Sequence, residues 1–482
     1  PDMASAAALG MTAGVDMDNQ CGDNSSWAYL HTNEALQRGL LDESLVNASA
    51  ARVLAHKFSA GLFDSPFASE EDAKHVNSTA ARQLALEAAE QGMVLLKNDN
   101  NTLPLSLSKG STLAIIGPSG SCFPSVPNGV DSDLCDAQKN MLGKLFHQVG
   151  DVAVPTLASA ASAALASDVK VVVAQGSYID DVTPPDVLDH AVAVAATADA
   201  IVLAVGDSMR SCAEWGDRDS LDLAGEQLQL IQRVAMARQP GVPLVVVLVN
   251  GRPATFGPDN SLLDDIPALL VAWRGGQRGG EAMWNVLSGA TPPTGRLPNN
   301  WPRSVGQIGG PSSPWFKHIV GKWETNNKGC VGPKINGHYA ECFDPYVNSV
   351  STPLFPFGYG LTYGASFSVD QLTCNTVDDK AVQCVASVCN AGAKQAKALV
   401  QVFARTPLIL GLNQYYKRLA GWEWVDVPGH ACAKATVATP YDVLKTWDLD
   451  MKHVLTAGNY TFSAATTGYL GDSTMTTVTV AK

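Results

Sequence analysis

Short, almost purely apolar runs alternate with amphipathic segments between residues 107 and 305. The runs are rich in Val, Ile and Leu, as is typical of strands that helices cover on both faces. We predict strands at 113–116, 169–174, 201–205, 244–249 and 268–273. Helices are predicted among them at 157–166, 187–197, 224–237 and 281–288. This alternation predicts an α/β sandwich domain with a mainly parallel, doubly wound sheet over 107–305.

The segment before this domain has a different pattern. Residues 1–65 show helical periodicity around one brief strand end at 14–17. One strand cannot form a sheet, so we interpret 1–65 as the tail of a larger domain of strands and helices. Residues 66–106 are predicted to be a linker helix, over 76–94, and a connection.

The last third of the chain does not show the helical spacing of apolar residues. Residues 306–352 are rich in Gly, Pro, Asn and Ser, yet they carry large aromatic side chains that would be costly to leave in water. We therefore interpret 306–352 as an ordered excursion over the surface. From 353 to 482, short alternating runs separated by Pro and Gly turns predict a β-sandwich.

Composition and charge narrow the classes of partner. The chain has 482 residues and a net charge of −13. Nucleic acid and anionic membrane surfaces both need a basic face, so neither is expected as a partner. No run of 18 apolar residues exists, so no membrane span is predicted. A neutral ligand such as a carbohydrate is compatible with this charge.

Ten cysteines and five N-x-S/T sequons together indicate a secreted, extracellular or vacuolar protein. The cysteine spacings suggest short loops closed by the pairs 122/135, 330/342, and either 374/384 or 374/389. None of the spacings is that of a zinc site, so no metal site is predicted. The candidate glycosylation sites are Asn24, Asn47, Asn77, Asn100 and Asn459.

The stretch 205–227 holds the candidate chemistry. It starts at the end of a predicted strand, where loops line the ligand crevice of an open α/β sheet. Glu214 lies there beside Trp215 and shortly before Asp217 and Arg218. An apolar neighbour would raise the pKa of this carboxyl group, whereas a nearby arginine would lower it. Taken alone, Glu214 could equally cap the following helix or pair with Arg218.

Eight segments, spread in order along the chain, share a specific resemblance. They are AGVDMD at 13–18, GMVLLKNDNNTLPL at 92–105, AIIGP at 114–118, CAEWGDRDSLDLAGEQ at 212–227, VVVLVNGRPA at 245–254, WRGGQRGGEAMWNVLSGATPPTGRLPNNWP at 273–302, PLFPFGYGLTY at 353–363 and KRLAGWEWV at 417–425. With these motifs the whole chain resembles glycoside hydrolase family 3, the β-glucosidases and β-xylosidases. The resemblance implies a (β/α)8 barrel, of which 1–65 is the C-terminal remnant, then the α/β sandwich and a fibronectin type III-like domain.

The resemblance also assigns roles within the loop. The family's general acid/base glutamate lies shortly before an Asp-Arg pair and an L-x-L-P-G-x-Q segment, which implies that Glu214 is this residue. Asp217 and Arg218 are then expected to bind substrate, and no cofactor is implied. Trp215, next to the acid, suits stacking on a sugar ring as a substrate-binding residue, although an aromatic residue in such a loop is as often a packing residue. The chain has Ala224 where the family commonly has Pro, which should affect the stiffness of the loop more than the chemistry.

A retaining glycosidase needs a second carboxylate as nucleophile. In the family this is an Asp in an S-D-W type motif, located before the segment that matches 13–18, and no such motif occurs in this chain. Asp16 belongs to the later motif, so we expect it to be structural. Either the mature enzyme is cut, with an N-terminal barrel fragment held as a separate chain, or the sequence is incomplete; both predict that this chain alone is inactive.

Two functions therefore remain open. One is exo-acting hydrolysis of a β-linked glucoside or xyloside, with Glu214 as the acid. The other is an inactive carbohydrate-binding or interaction protein on the same fold, favoured by the missing nucleophile and disfavoured by the retained EWGDR loop. The choice between glucose and xylose stays open, because the pocket that discriminates them is expected in the barrel.

Overall fold

The structure is a computed structural model. The chain divides into two compact units, residues 1–81 and residues 82–482. The backbone alone is described at 316–317, 330–335, 338–342 and 414–415. The residues described with side chains are 2–19, 27–123, 134–143, 153–165, 168–214, 216–308, 352–377, 379–407, 417–468 and 474–480.

The regular secondary structure described in residues 1–81 is helical. Its helices are α1 (Met3–Thr12), α2 (Thr32–Gln37), α3 (Glu43–Ser59), α4 (Glu70–Ala73) and the first turn of α5 (Thr79–Gly92). Asp42 caps α3 by accepting a hydrogen bond from the Ser44 backbone N–H at 2.8 Å. Residues 14–17, predicted as a strand end, pair with no strand in the described ranges 2–19 and 27–81.

A six-stranded sheet forms the centre of the second unit. Its strands are β1 (Val94–Asn98), β2 (Thr112–Ile116), β3 (Lys170–Ala174), β4 (Ala200–Gly206), β5 (Leu244–Val249) and β6 (Ala268–Val271). The spatial order is β1-β6-β5-β4-β2-β3, and all pairs are parallel except β1 with β6. The predicted mainly parallel sheet is therefore confirmed.

Helices cover both faces of this sheet. They are the remainder of α5, α6 (Asp136–Leu142), α7 (Leu157–Leu165), α8 (Pro185–Ala196), α9 (Gln227–Ala237) and α10 (Gly279–Ser288). Alternate residues of β4 enter two separate cores: Val202 packs in the cluster with α7 and α10, and Ile201 packs in the cluster with α8 and α9. A strand buried on both faces needs an unbroken apolar run, which is why periodicity revealed these strands.

Strand β1 corrects the predicted boundary of the sheet domain. The sequence interpretation placed 66–106 outside the sheet and treated Val94 as the end of a helix. Instead α5 ends at Gly92, and β1 pairs antiparallel with β6 through Val94 and Val271. A short apolar run fits a buried strand or a buried helical turn equally well, so only the partner strand decides between them.

The strand order fixes where a ligand crevice is expected. From β2 the chain steps outward to β3 and then returns to the other side of β2 as β4. The direction of winding thus reverses between β2 and β4. In open α/β sheets the crevice lies at this switch point, beyond the carboxyl ends of the strands. The loop that leaves β4 starts at this place.

Antiparallel strands dominate the C-terminal part of the second unit. Three small two-stranded sheets pair β7 (Phe316–Lys317) with β13 (Gln414–Tyr415), β8 (Cys330–Ile335) with β9 (His338–Cys342), and β16 (Thr446–Trp447) with β17 (His453–Val454). One larger sheet contains β10 (Phe367–Val377), β11 (Ala381–Asn390) and β15 (Ala431–Pro440). The other contains β12 (Ala396–Arg405), β14 (Arg418–Val427), β18 (Gly458–Ala465) and β19 (Thr474–Val480).

Both larger sheets contribute side chains to one core, and α11 (Tyr441–Leu444) follows β15. The all-β pattern predicted after residue 353 is thus found. No helix in the described ranges is long and apolar enough to cross a membrane.

Three disulfide bonds lie in the described part of the second unit. Cys122 bonds Cys135, and Cys374 bonds Cys384, as two of the predicted spacings suggested. The alternative 374/389 is wrong, because Cys389 bonds Cys432 on the neighbouring strand, 43 residues away. The predicted pair 330/342 involves side chains outside the described residues. Cys212 carries a free thiol.

Candidate functional site

The loop 207–226 projects from the carboxyl edge of the sheet, and Gln227 closes its base. Gln227 is fully buried at the start of α9. Its side-chain amide donates to the Gly206 carbonyl and accepts from the Gly206 N–H, both at 2.8 Å. These two bonds join the residue before the loop to the residue after it. The twenty residues between them are therefore anchored at the end of β4.

Glu214 lies at an exposed turn of this loop. The turn is closed by a hydrogen bond from the Gly216 N–H to the Ala213 carbonyl at 2.8 Å. A Cβ at Gly216 would lie 2.6 Å from the Arg210 carbonyl oxygen, so the turn requires glycine there. Glu214 is thereby held at the surface by a tight backbone turn. Asp217 is also exposed, and Trp215 lies outside the described residues.

Asp207 is a buried carboxylate beneath the loop, immediately after β4. Its oxygens lie 3.9 Å from Nη1 of Arg218 and 3.8 Å from Nε of Arg252. Burial raises the pKa of the Asp207 carboxyl, and the guanidinium groups of Arg252, Arg218 and Arg274 oppose that rise. Arg218, predicted to bind substrate, thus lies largely buried against the base of the loop.

Two arginines from neighbouring strand ends reach the loop backbone. Arg252 follows β5, and its Nη2 donates to the Gly216 carbonyl at 3.3 Å. Arg274 follows β6, and its Nη2 donates to the Cys212 carbonyl at 2.9 Å. Both accepting carbonyls lie two residues from Glu214, one on each side. The loop is therefore held on both flanks of its exposed acid.

The other side of the loop rests on the segment that follows β3. The Ser208 hydroxyl donates to the Asp180 carboxylate, and Arg210 forms an ion pair with Asp181 at 3.2 Å. Near the end of the loop, the Thr183 N–H donates to the Glu226 carboxylate at 2.6 Å. The Ala224 position, where the family commonly has Pro, is buried in this contact region.

Gly225 is required at the same contact. Its φ is +59°, in the left-handed region, and a Cβ there would lie 2.6 Å from the Ile179 carbonyl oxygen. The glycine of the L-x-L-P-G-x-Q pattern therefore allows the loop to pack closely against the segment after β3.

Asp16, in the unit of residues 1–81, is held in an ion pair. Its carboxylate accepts from Nε of Arg52 at 2.9 Å and from Nη2 of Arg52 at 2.6 Å. Arg52 lowers the pKa of the Asp16 carboxyl. The Ser49 hydroxyl binds the Asp16 carbonyl at 3.1 Å. An acid occupied in this way suits the structural role expected for it.

The remaining predicted sites are at the surface or undescribed. Asn47, Asn100 and Asn459 are exposed, Asn77 is half-buried with φ +57°, and Asn24 is outside the described residues. One cluster in the described residues brings together three ligand-type side chains, Asp370, Cys389 and Cys432. Both sulfur atoms of that cluster are joined in a disulfide, so they offer no thiolate to a metal.

Sequence reasoning missed Asp207, Arg252 and Arg274. Each follows a buried strand within three residues, in the segments VGD, VNGR and VAWR. A charged residue at the carboxyl end of a parallel strand was the available signal. Which of them meet depends on the adjacency of β4, β5 and β6, which single-strand patterns do not reveal.

Comparisons with known proteins agree with this architecture. The model of the glycosyl hydrolase family 3 C-terminal domain matches residues 93–363. A β-xylosidase from Formosa agariphila is 31% identical and aligns with 98% of this chain and 61% of its own length. A periplasmic β-glucosidase from Salmonella typhimurium is 29% identical, over 95% of this chain and 58% of its own length.

A solved structure extends the likeness to three dimensions. The β-glucosidase from Erythrobacter marinus has a TM-score of 0.78 and 26% identity, covering 99% of this chain and 60% of that one. The chain therefore spans about three-fifths of these relatives' lengths. On the strength of the domain match, this chain belongs to glycoside hydrolase family 3.

Proposed function

We propose that this chain supplies the general acid/base, Glu214, of an exo-acting β-glycosidase that acts on β-glucosides or β-xylosides by a retaining mechanism. The observation that carries the proposal is the exposed Glu214 on a loop whose base is closed by Gln227 and whose flanks are bound by two arginines. The printed names of the relatives, β-xylosidase and β-glucosidase, support the substrate class.

The proposed chemistry divides between two carboxyl groups. The protonated Glu214 carboxyl gives its proton to the glycosidic oxygen as the bond to the anomeric carbon breaks. A second carboxylate, about 5 to 5.5 Å away in such enzymes, attacks that carbon and forms a covalent glycosyl intermediate. Glu214, now ionised, then takes a proton from the water that releases the sugar. We assign the second carboxylate to an Asp of the N-terminal barrel part.

The unit of residues 1–81 supports the proposed partner. It exposes large apolar side chains, among them Leu9, Phe58 and Phe67. Surfaces of this kind are typical of faces that another part of a protein covers. We propose that 1–65 is the C-terminal remnant of a (β/α)8 barrel, with the rest of the barrel packed on these side chains, and that 353–482 is a fibronectin type III-like domain.

The acid is tested with Glu214→Gln in the form of the protein that carries the barrel part. Removal of a general acid typically costs about 10²- to 10⁴-fold in rate. We expect a loss in this range for kcat/KM on a phenyl β-glycoside, and a small loss on a 2,4-dinitrophenyl β-glycoside, whose leaving group needs no proton. The control is Glu423→Gln, at an exposed glutamate of the sandwich. Unchanged hydrolysis of the phenyl glycoside by Glu214→Gln would exclude Glu214 as the acid.

The barrel partner is tested separately by native, non-reducing mass spectrometry of the active enzyme. We expect additional polypeptide beyond the 50.7 kDa of this chain, either contiguous or bound. A sample that contains only the 50.7 kDa polypeptide and has full glycosidase activity would contradict the proposal. Initial rates on aryl glucoside and aryl xyloside, measured on the same sample, identify the preferred sugar.

A second candidate function is carbohydrate binding without catalysis. Isothermal titration with a β-linked disaccharide distinguishes the two: binding by the complete unmutated protein without any sugar release would support this second function.

We also propose secretion or vacuolar targeting, which the three disulfide bonds and the exposed sequon asparagines support. Treatment of the native protein with an N-glycosidase should lower its mass if these sequons carry glycans.

A further inference from the structure

We infer that Arg252 and Arg274 are positioning residues that hold Glu214 in register with its substrate. The inference rests on the proposed role of Glu214 and deepens it. Neither arginine is expected to contact the sugar, since each side chain is directed to the backbone of the loop. They are named together below as the arginine clamp.

The clamp contacts the loop symmetrically about the acid. Arg252 donates to the Gly216 carbonyl at 3.3 Å, and Arg274 donates to the Cys212 carbonyl at 2.9 Å. These carbonyls lie two residues after and two residues before Glu214. Two fixed points so close to one residue restrict both the translation and the tilt of its Cα–Cβ bond.

The arginines are themselves fixed to rigid parts of the fold. Arg274 uses its second amino group, Nη1, to donate to the Asn140 carbonyl of α6 at 2.9 Å. Arg252 lies with its Nε 3.8 Å from the buried Asp207 carboxylate. Both side chains begin within three residues of the ends of the central strands β5 and β6. The ends of strands β5 and β6 therefore determine where the loop lies.

The backbone near Arg252 is shaped to admit Arg274. A Cβ at Gly251 would lie 3.1 Å from Nε of Arg274 and 2.9 Å from the sulfur atom of Cys212. Glycine leaves the space through which Arg274 passes beneath the loop to reach the Cys212 carbonyl. Two adjacent residues of the VNGR segment thus serve the clamp: Arg252 donates to the Gly216 carbonyl, and Gly251 leaves space for Arg274 by its lack of a side chain.

A simpler reading is that the arginines only neutralise buried Asp207. That role needs positive charge and no particular hydrogen-bond geometry. A lysine keeps the charge but cannot reproduce the planar, multidentate donation of a guanidinium. Arg252→Lys and Arg274→Lys therefore separate charge balance from positioning. The matched control is Arg233→Lys, because Arg233 of α9 forms an exposed ion pair with Asp189 of α8.

The readout is the dependence of kcat/KM on the leaving group, measured in the active protein that contains the barrel part. A displacement of about 1 Å at a reacting group can cost about 100-fold. We expect each clamp variant to lose about 10- to 100-fold in kcat/KM on phenyl β-glycosides. On 2,4-dinitrophenyl β-glycosides, whose leaving group departs without a proton, we expect a loss of less than about threefold. Arg233→Lys should match the unmutated protein on both.

Equal losses on the two substrates, or no loss on either, would overturn the clamp inference. Thermal unfolding of each variant identifies a variant that is unfolded, and the two lysine variants provide independent tests. Glu214→Gln, assayed alongside, separates the two proposals. If it shows the leaving-group dependence and the clamp variants do not, only the clamp is wrong. If Glu214→Gln shows none, the assignment of the acid is wrong.

Discussion

The two compact units bury their apolar residues in different ways. In the sheet, every residue of β4, β5 and β6 is buried. The core of residues 1–81 is built from small side chains such as Ala4, Ala8 and Ala35, while Phe67 is 85% exposed. The sheet thus contains enough large apolar side chains to stabilise itself. The helical unit leaves most of its large apolar side chains available for a covering surface.

The largest expected effect on the unfolding free energy comes from a substitution in the core of the sheet. Leu270→Ala removes a fully buried side chain from β6 and should cost about 2–5 kcal/mol of unfolding free energy. Leu54→Ala in α3, where the side chain is 45% exposed, should change it by less than about 0.5 kcal/mol. Urea denaturation followed by circular dichroism measures both.

The same two substitutions, measured with the proposed barrel part present, test whether the helical unit is covered. Covering Leu54 would raise the cost of Leu54→Ala towards that of a core residue, while the effect of Leu270→Ala should not change. An equal cost for Leu54→Ala with and without the barrel part would show that this face of α3 stays uncovered.

A smaller effect is expected at the base of the loop 207–226. Gln227→Ala leaves the buried N–H and carbonyl of Gly206 without their partners and should cost about 1–3 kcal/mol. Gln232→Ala, at an exposed position of the same helix, is the control. Hydrogen exchange should show faster exchange within 207–226 for Gln227→Ala only; unchanged exchange there would mean that other contacts close the loop.

The smallest effect is expected for the ion pair of the helical unit. Arg52 holds the pKa of the Asp16 carboxyl below 3.8, its ordinary value, so the unfolded chain binds this proton more readily than the folded chain. The stabilisation is therefore present above that ordinary value and is lost as the pH falls below it. Asp16→Asn should lower the melting temperature slightly at neutral pH, and the difference should vanish in acid.

The control for this pH series is Asp64→Asn, at an exposed position of the same unit. A difference between Asp16→Asn and the unmutated protein that persists or grows on acidification would contradict the assigned direction of the pKa shift.

The sequence predicted the parts of this fold that local pattern determines. Strands β4 and β5 were recognisable because burial on both faces demands an unbroken apolar run. Strand β1 was not, because a few apolar residues after a helix fit either structure until a partner strand is known. The disulfide of Cys432 was not predicted for a similar reason, since its partner Cys389 lies on a strand that is adjacent only in space.

The candidate site divides in the same way. Glu214 was found from the order of elements and from the resemblance to a family. Asp207, Arg252 and Arg274 were not, because they meet only through the lateral order of three strands. Their contacts lie between residues 36 to 62 positions apart, beyond the reach of any local motif.

The closure of the loop by Gln227 has a consequence for how the loop 207–226 can change in length. With both ends pinned to one strand terminus, lengthening the interior of the loop costs little chain entropy, about 0.6 kcal/mol for each doubling. Changes in length that spare the contacts of Cys212, Gly216 and Gly225 therefore leave the sheet undisturbed. The loop is a place where evolution can change the surface around Glu214 without rebuilding the sheet beneath it.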